Sequence, residues 1–392
     1  MKSYFKNLNN ELKNYHRAIP CLLVDLDILD QNISQVTSNL KDSNELRIVV
    51  KSLPSFQLIQ YIQEKVKTNK LMVFHQPFLT SLANQLTSED DVLLGKPMPI
   101  KTATYFYNNL PNLNNGFNPF TQIQWLVDTE TRIKEYISLA KKLGKKIRLN
   151  IELDVGLHRG GFSSLTTLKK ALQLIENNRD YVTFSGFMGY DPHVVKLPKV
   201  IRSQEKAFQL ANNFYNDCKT LLSNEFPTLW EKELTFNGAG SPTLSLHKTH
   251  TSPINDIAIG SCFVKPTTFD IPTLQDYQPA SFIATPVLKS FSKTSIPGLE
   301  KLKFLFKKKS AFIYGGFWKA AYYYPEGIKQ NNLFGASTNQ TLLDIPKNAS
   351  VAVDDFVFLR PHQSEAVFLQ FGNILPVRNG KIQKSWALLQ QY

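Results

Sequence analysis

The chain has 392 residues, of which 42% are hydrophobic and 12% aromatic, and its formal net charge is +13. This length exceeds what one hydrophobic core usually holds, so two domains are expected, and the apolar content is ample for a real core. The lysines are spread along the whole chain, and no basic stripe alternates with aromatic residues, which argues against a nucleic-acid-binding protein.

The cysteines and the apolar segments indicate where the protein works. Cys21, Cys218 and Cys262 are odd in number and form no CxxC pair, which argues against a disulfide framework and for a reducing compartment. The start of the chain lacks the apolar core of a signal peptide, and no stretch approaches the roughly 18 apolar residues that a membrane span needs. We therefore expect a soluble cytoplasmic protein with no membrane partner.

In chain order, a polar helical segment and a strand-like segment at 21–26 precede a long series of short apolar segments that alternate with helical ones. The predicted strands are 47–51, 71–75, 91–94, 124–128, 146–152, 182–188, 233–237 and 255–259. The predicted helices between them include 56–66, 78–86, 131–143, 165–177 and 203–222. Eight strands with crossover helices predict an α/β fold, a parallel (β/α)₈ barrel. A doubly wound open sheet is the alternative, but the Gly-rich fingerprint after its first strand is missing.

Past residue 270 the pattern changes to short alternating segments separated by turn residues. These segments are 281–285, 311–314, 355–359 and 366–369. Such a pattern is typical of antiparallel strands. We therefore predict a barrel domain at 17–270 and a mainly antiparallel β domain made of 271–392 together with 1–16.

The first predicted barrel strand ends in a lysine, Lys51. Desolvation at the end of a buried strand disfavours the ammonium form and lowers the lysine pKa, so the amine can attack a carbonyl and form a Schiff base. The alternative is a lysine whose side chain reaches solvent at the rim of the barrel.

Glycine and serine follow the last two barrel strands, at Gly238, Gly240 and Ser241 and again at Gly260 and Ser261. In a barrel the active site lies at the carboxyl ends of the strands, and the loops after strands seven and eight commonly bind phosphate. Small residues there let backbone N–H groups converge on an anion. Each loop alone is equally compatible with an ordinary turn. Together with the strand-one lysine, the two loops fit pyridoxal phosphate, which needs both a Schiff-base amine and a phosphate anchor.

Three further polar residues follow predicted strands five and six. Arg159 offers a fixed cation with donors suited to a cofactor phenolate or a substrate carboxylate, and its alternative is a salt bridge to Glu152 or Asp154. Tyr190 and His193 are candidates for positioning the substrate or assisting proton transfer. The alternative for the histidine is a purely structural role.

Taken together, these segments resemble the fold-type III pyridoxal-phosphate enzymes, specifically the D-threonine aldolases and D-serine dehydratases with an alanine-racemase-like barrel. The resemblance covers nearly the whole chain and rests on segments 18–27, 49–51, 154–161, 186–193, 239–243 and 256–261. It implies an internal aldimine at Lys51 and a phosphate held by residues 238–241 and 260–261. It also places Arg159 near the cofactor O3 or the substrate, Tyr190 at the cofactor, and it implies a homodimer.

In this family the β domain often contributes a divalent metal site of the form His-x-Cys or His-x-Asp. The matching residues here are His362, Gln363 and Ser364. Serine is a poor ligand in place of a thiolate or carboxylate, and Glu365 can substitute only if the strand is bulged. We therefore expect no tightly held zinc, while weak binding of a divalent ion at His362 stays open.

The residues and the resemblance together predict a pyridoxal-phosphate-dependent lyase that acts on a D-amino acid, of the aldolase or dehydratase type on a D-3-hydroxy amino acid. His362 or His193 would serve as the acid or base on the substrate hydroxyl. One alternative is a racemase, with a second acid/base from Tyr322, Tyr323 or Tyr324. The other is a non-catalytic pyridoxal-phosphate carrier, which the second domain disfavours.

Overall fold

A computed structural model of the chain describes residues 2–111, 113–198, 200–231, 233–293, 298, 309–332 and 334–391. The chain begins with helix α1 (Lys2–Asn14) and strand β1 (Cys21–Asp25), and a helix and a barrel strand then alternate. Among the described residues, no helix combines the length and the apolar character that crossing a membrane would need.

The eight strands after β1 are all parallel and close into a barrel, in which the last strand pairs with the first. They are β2 (Glu45–Val49), β3 (Lys70–Val73), β4 (Asp91–Leu94), β5 (Ile123–Val127), β6 (Ile147–Glu152), β7 (Val182–Gly189), β8 (Thr235–Gly238) and β9 (Asp256–Ile259). The helices that precede, connect and follow them are α2 (Leu26–Ser38), α3 (Phe56–Val66), α4 (Gln76–Ala83), α5 (Ile100–Asn108), α6 (Pro119–Gln122), α7 (Glu130–Leu143), α8 (Leu165–Glu176), α9 (His193–Lys196), α10 (Gln204–Glu225) and α11 (Leu244–Thr249). The predicted parallel (β/α)₈ barrel is confirmed.

The second sheet is mainly antiparallel, also as predicted. Its strands past the barrel are β10 (Ser281–Phe291), β11 (Lys309–Tyr314), β12 (Ala320–Tyr324), β13 (Lys329–Gln330), β14 (Gln340–Ile345), β15 (Phe356–Pro361), β16 (Asn373–Arg378), β17 (Lys381–Ile382) and β18 (Trp386–Ala387). Helix α1 covers one face of this sheet, where Phe5, Leu8 and Leu12 pack with Phe282 and Phe358.

Strand β1 lies inside the range 17–270 that the sequence assigns to the barrel domain, but it belongs to the second sheet. It pairs antiparallel with β10 and parallel with β16. Its Leu23 faces the cluster under α1, whereas Leu22 and Val24 face the core of the barrel. Because both faces are buried, the strand is a continuous apolar run, the same pattern that a barrel strand shows.

The predicted strand at 366–369 is wrong. Residues Ser364–Val367 form a short helix, α12, which a 3₁₀ turn at Phe368–Gln370 continues. Val367 packs with Val357 and Leu359 of the second sheet, whereas Phe368 packs into the core of the barrel. Adjacent apolar residues that face different clusters give the same pattern as a strand buried on both faces. The helix brings Glu365 toward the mouth of the barrel.

An ion cluster centred on Arg47 fills the inside of the barrel near the amino ends of its strands. The Arg47 side chain is fully buried and bonds Asp256 through Nε (2.9 Å) and Nη2 (2.8 Å). Its Nη2 also lies 2.8 Å from Asp91 Oδ1, and its Nη1 donates to the carbonyl of Leu71 at 3.0 Å. The cluster therefore joins β2 to β3, β4 and β9, including the seam where the barrel closes.

We expect Asp256→Asn to lower the free energy of unfolding by about 3–5 kcal/mol, because the change leaves the Arg47 guanidinium short of a buried counter-charge. Urea denaturation followed by circular dichroism would measure the loss. Glu11→Gln is the matched control, since the Glu11–Lys381 pair lies at the surface and should contribute under about 1 kcal/mol. Equal losses in the two variants would contradict the role of the cluster.

Candidate active site

A cavity of about 560 Å³ opens at the carboxyl ends of the barrel strands, a volume in the usual range for a small-molecule site. Most of the residues predicted for the site line it. They are Lys51, Arg159, Tyr190, Gly240, Ser241, Gly260 and Ser261. The other three, Gly238, His193 and His362, are not among the described residues that line this cavity.

Lys51 stands at the first strand end, although not on the strand itself. Strand β2 ends at Val49, and Lys51 is the middle residue of a 3₁₀ turn, Val50–Ser52. Its ammonium group lies 4.3 Å from the centre of the Phe74 ring and 4.0 Å from Glu365 Oε1. Burial lowers the pKa of Lys51; Glu365 opposes this shift, and the nearby Arg159 and Lys96 add to it. A lysine in this state supplies a neutral amine more readily than a solvated one.

The two Gly/Ser loops meet beside this turn. The Ser241 hydroxyl accepts a hydrogen bond from the backbone N–H of Cys262 at 3.1 Å, which ties the loop after β8 to the loop after β9. Because β9 pairs with β2, Gly260 runs against the lysine turn, and a Cβ at Gly260 would lie 2.8 Å from Val49 Cβ and 3.0 Å from Ser52 Cβ. Only glycine lets the backbone pass this close.

The loop after β8 is equally tight on its other side. A Cβ at Gly240 would lie 2.8 Å from Cε2 of the Tyr190 ring. In the described part of the chain, the backbone N–H groups of Gly240, Ser241 and Ser261 donate no hydrogen bond to the protein. Free backbone donors beside serine hydroxyls form the kind of cradle that binds a phosphate group.

The opposite wall of the cavity carries charged groups from β5, β6 and the loops after β6 and β7. The guanidinium carbon of Arg159 lies 5.4 Å from the centre of the Tyr190 ring, and burial raises the pKa of that tyrosine. Burial and the neighbouring Asp128 raise the pKa of Glu152 to about 7, against the effect of Arg159. The wall thus combines a permanent cation with a carboxyl group that titrates near neutral pH.

Among the residues that line the cavity and that sequence reasoning missed are Phe74, Lys96 and Asp128. Each follows a barrel strand within two residues: Phe74 comes after β3, Lys96 after β4 and Asp128 after β5. The strand-end rule that selected Lys51 was therefore signal enough to find them.

Glu365 reaches the cavity from the second domain. Its Oε1 accepts a hydrogen bond from Ser52 Oγ at 3.3 Å, and its Oε2 accepts one from Ser364 Oγ at 3.3 Å. Ser52 in turn accepts from Ser261 Oγ at 3.1 Å. A chain of hydrogen bonds thus runs from a Gly/Ser loop past the lysine turn to this carboxylate.

The two predicted acid/base histidines occupy supporting positions outside the cavity lining. His193 is buried, its Nδ1 has no hydrogen-bond partner among the described residues, and burial lowers its pKa. The His362 Nδ1 lies 2.5 Å from Thr267 Oγ1, and the His362 backbone bonds Lys319 and Thr268. His362 therefore joins β15 to the segment that follows the barrel.

The cavity has the features that pyridoxal phosphate requires. Lys51 offers an amine with a lowered pKa, and the cradle of free N–H groups lies in two loops beside it. A Cβ at Gly260 would collide with Val49 and Ser52, and one at Gly240 would collide with the Tyr190 ring. The described side chains do not provide a comparable arrangement for a metal ion. Within the described residues, no group of three or more His, Cys, Asp or Glu side chains is arranged to hold an ion.

Solved structures share this fold over nearly the whole chain. The D-threonine aldolase of Filomicrobium marinum aligns with a TM-score of 0.73 at 15% identity, covering 96% of this chain and 98% of its own. The D-threo-3-hydroxyaspartate dehydratase of a Delftia species aligns with a TM-score of 0.72 at 14% identity, covering 97% and 100%. The alanine racemase of Bacillus anthracis aligns with a TM-score of 0.69 at 14% identity, covering 95% and 98%. At these identities the likeness concerns the fold.

Sequence comparison identifies the family. No curated protein sequence matches the chain. The model of the alanine racemase N-terminal domain matches residues 24–251, which is more than half of the chain and contains Lys51, Arg159, Tyr190 and the loop after β8. The protein therefore belongs to the alanine racemase N-terminal domain family.

Proposed function

We propose that this protein is a pyridoxal-phosphate-dependent lyase that cleaves or dehydrates a D-3-hydroxy amino acid. The observation that carries the proposal is the position of Lys51, whose amine has a lowered pKa and stands beside two linked Gly/Ser loops at one cavity mouth. The structural likeness to a D-threonine aldolase and a D-threo-3-hydroxyaspartate dehydratase supports this reaction class.

The chain's own residues would divide the work as follows. Gly240, Ser241 and Ser261 would bind the phosphate through their N–H groups, and Lys51 would hold the cofactor covalently. Bound pyridoxal phosphate supplies an electron sink for the bond broken at the substrate Cα. Arg159 offers bidentate donors to a carboxylate or phenolate and rests on the Tyr190 ring, which limits its motion.

The racemase alternative has less support from the geometry. It needs a second acid/base, for which the sequence offers Tyr322, Tyr323 and Tyr324 on β12. None of these tyrosines is among the described residues that line the cavity, and burial raises the pKa of Tyr322 to about 12. We therefore place the lyase first. Loss of chirality at Cα without release of aldehyde or ammonia would reverse that order.

The first prediction from this proposed function concerns the covalent link between Lys51 and the cofactor. We expect purified protein to develop the absorption band of a Schiff base with pyridoxal phosphate, and borohydride to fix the cofactor to Lys51, because burial lowers the pKa of that amine and the turn that carries it packs against Gly260 of the cradle. Peptide mass spectrometry locates the adduct. Lys51→Ala should abolish it, whereas Lys96→Arg, in the same cavity, should leave it in place. An adduct on Lys96 would contradict the assignment.

The second prediction concerns His362 and metal. We expect no stoichiometric zinc in the purified protein, because Ser364 stands where a second ligand is needed. His362→Ala should lower turnover about 100-fold while the cofactor remains attached to Lys51, whether the imidazole acts on the substrate or holds α12 in place. The exposed His16, changed to Ala, is the control. Activity that is lost to a chelator and restored by a divalent ion would disprove the metal-free site.

The third prediction concerns assembly and location. We propose a homodimer in the cytoplasm, on the family resemblance and because all three cysteines, two of them buried, are free thiols. Sedimentation equilibrium should give twice the mass of one chain, and the value should not change with reductant. A monomer at micromolar concentration would contradict the dimer.

A further inference from the structure

Among the described residues that line the cavity, Glu365 is the charged side chain that comes from the second domain. Its Oε1 lies 4.0 Å from Lys51 Nζ, and the side chain lines the cavity. We propose that Glu365 is a catalytic acid–base residue of this site, exchanging a proton with the substrate hydroxyl beside Lys51. The proposal deepens the lyase function and rests on it.

Glu365 is held in place by contacts that cross between the domains. The buried Arg360 at the end of β15 makes a bidentate ion pair with Asp270, at 2.7 and 2.8 Å, and bonds the Lys265 carbonyl. Two residues on, His362 bonds Thr267. Helix α12 begins directly after these contacts, so its position over the lysine turn is fixed from the barrel side. Proton transfer requires a carboxylate that is held within hydrogen-bond reach of the proton.

The surrounding groups hold both carboxylate oxygens of Glu365 beside Lys51. Ser52 donates to Oε1 and Ser364 donates to Oε2, each at 3.3 Å. The cations Lys51, Arg159 and Lys96 belong to the same cavity. Burial raises the pKa of Tyr190, and the charges of Asp191 and Glu365 add to this shift. The two predicted histidines lie outside the described lining of the cavity, so Glu365 is better placed than either to meet a substrate hydroxyl.

The proton and the electrons balance in both reactions. In cleavage, Glu365 would take the hydroxyl proton, the O–H bonding pair would become the second bond of the aldehyde carbonyl, and the Cα–Cβ pair, stabilised by the electron sink that the cofactor would supply, would end as a C–H bond at Cα with a proton from Lys51. In dehydration, Lys51 takes the α-proton, the C–H pair forms the Cα–Cβ double bond, and the hydroxyl leaves as water with a proton from Glu365. Each role is ordinary general acid–base catalysis.

The test has one arm that needs no cofactor. In cofactor-free protein, the pH dependence of Lys51 acetylation by acetic anhydride, read by peptide mass spectrometry, reports the proton on Nζ. Glu365→Gln should move the midpoint down by about one pH unit, because a carboxylate at this distance stabilises the ammonium form. Glu326→Gln, an exposed change in the same domain, should leave the midpoint unchanged.

The other arm measures turnover. With pyridoxal phosphate and D-threonine or D-serine, Glu365→Gln should lower kcat at least about 100-fold. Glu365→Asp, which keeps the charge, should hold the acetylation midpoint near that of the natural protein. Full turnover in Glu365→Gln, or an unmoved midpoint, overturns the proposal.

Failure of the lyase function would look different. If the natural protein releases neither aldehyde nor ammonia from these substrates, the reaction assignment fails. The acetylation arm would still decide whether Glu365 governs the proton on Lys51, since it needs neither substrate nor cofactor. An unmoved midpoint in that case removes Glu365 from the site as well.

Discussion

The buried pairing of Arg47 with Asp256 and Asp91 is the contact on which the site depends. It crosses the seam between β2 and β9, and the turns that follow these two strands carry Lys51 and Gly260 at the other mouth of the barrel. Asp256 also accepts from Asn237, which lines the cavity. A single ion cluster near the amino ends of the strands therefore joins the strands that lead into the lysine turn and both Gly/Ser loops. A buried charge tolerates few alternative arrangements, so the register of the seam is well defined.

The second domain completes the cavity rather than merely covering it. Arg360 and His362 attach β15 to the segment that leaves the barrel, and Glu365 follows from that attachment. The barrel contributes the permanent cation and the amine, whereas the second domain contributes an anion beside the amine. The proposed acid–base role of Glu365 therefore depends on the contacts that join the two domains.

The barrel and the lysine could be predicted because both depend on local signals, namely apolar runs of strand length and polar residues at their carboxyl ends. The same rule would have found Lys96 and Asp128. Strand β1 could not be assigned, because a strand buried on both faces has the same pattern in either sheet. The place of Glu365 in the cavity could not be predicted either, because its contact with Ser52 spans 313 positions in the chain. The apolar residues around it also resemble a strand, although they form a helix. The positions of β1 and Glu365 depend on contacts between residues that are far apart in the sequence.

The position of β1 between β10 and β16 has a consequence for how the chain is made. The strand emerges from the ribosome before any of the barrel, yet its hydrogen-bonding neighbours are synthesised more than two hundred residues later. During that interval the backbone edges of β1 have no hydrogen-bonding partner in the second sheet, and α1 lacks the surface that it covers. Contacts this distant in sequence form slowly, and exposed strand edges invite aggregation in the meantime. A fragment beginning after the barrel would lack an inner strand of its own sheet, so the two domains are separate in space but not in biosynthesis.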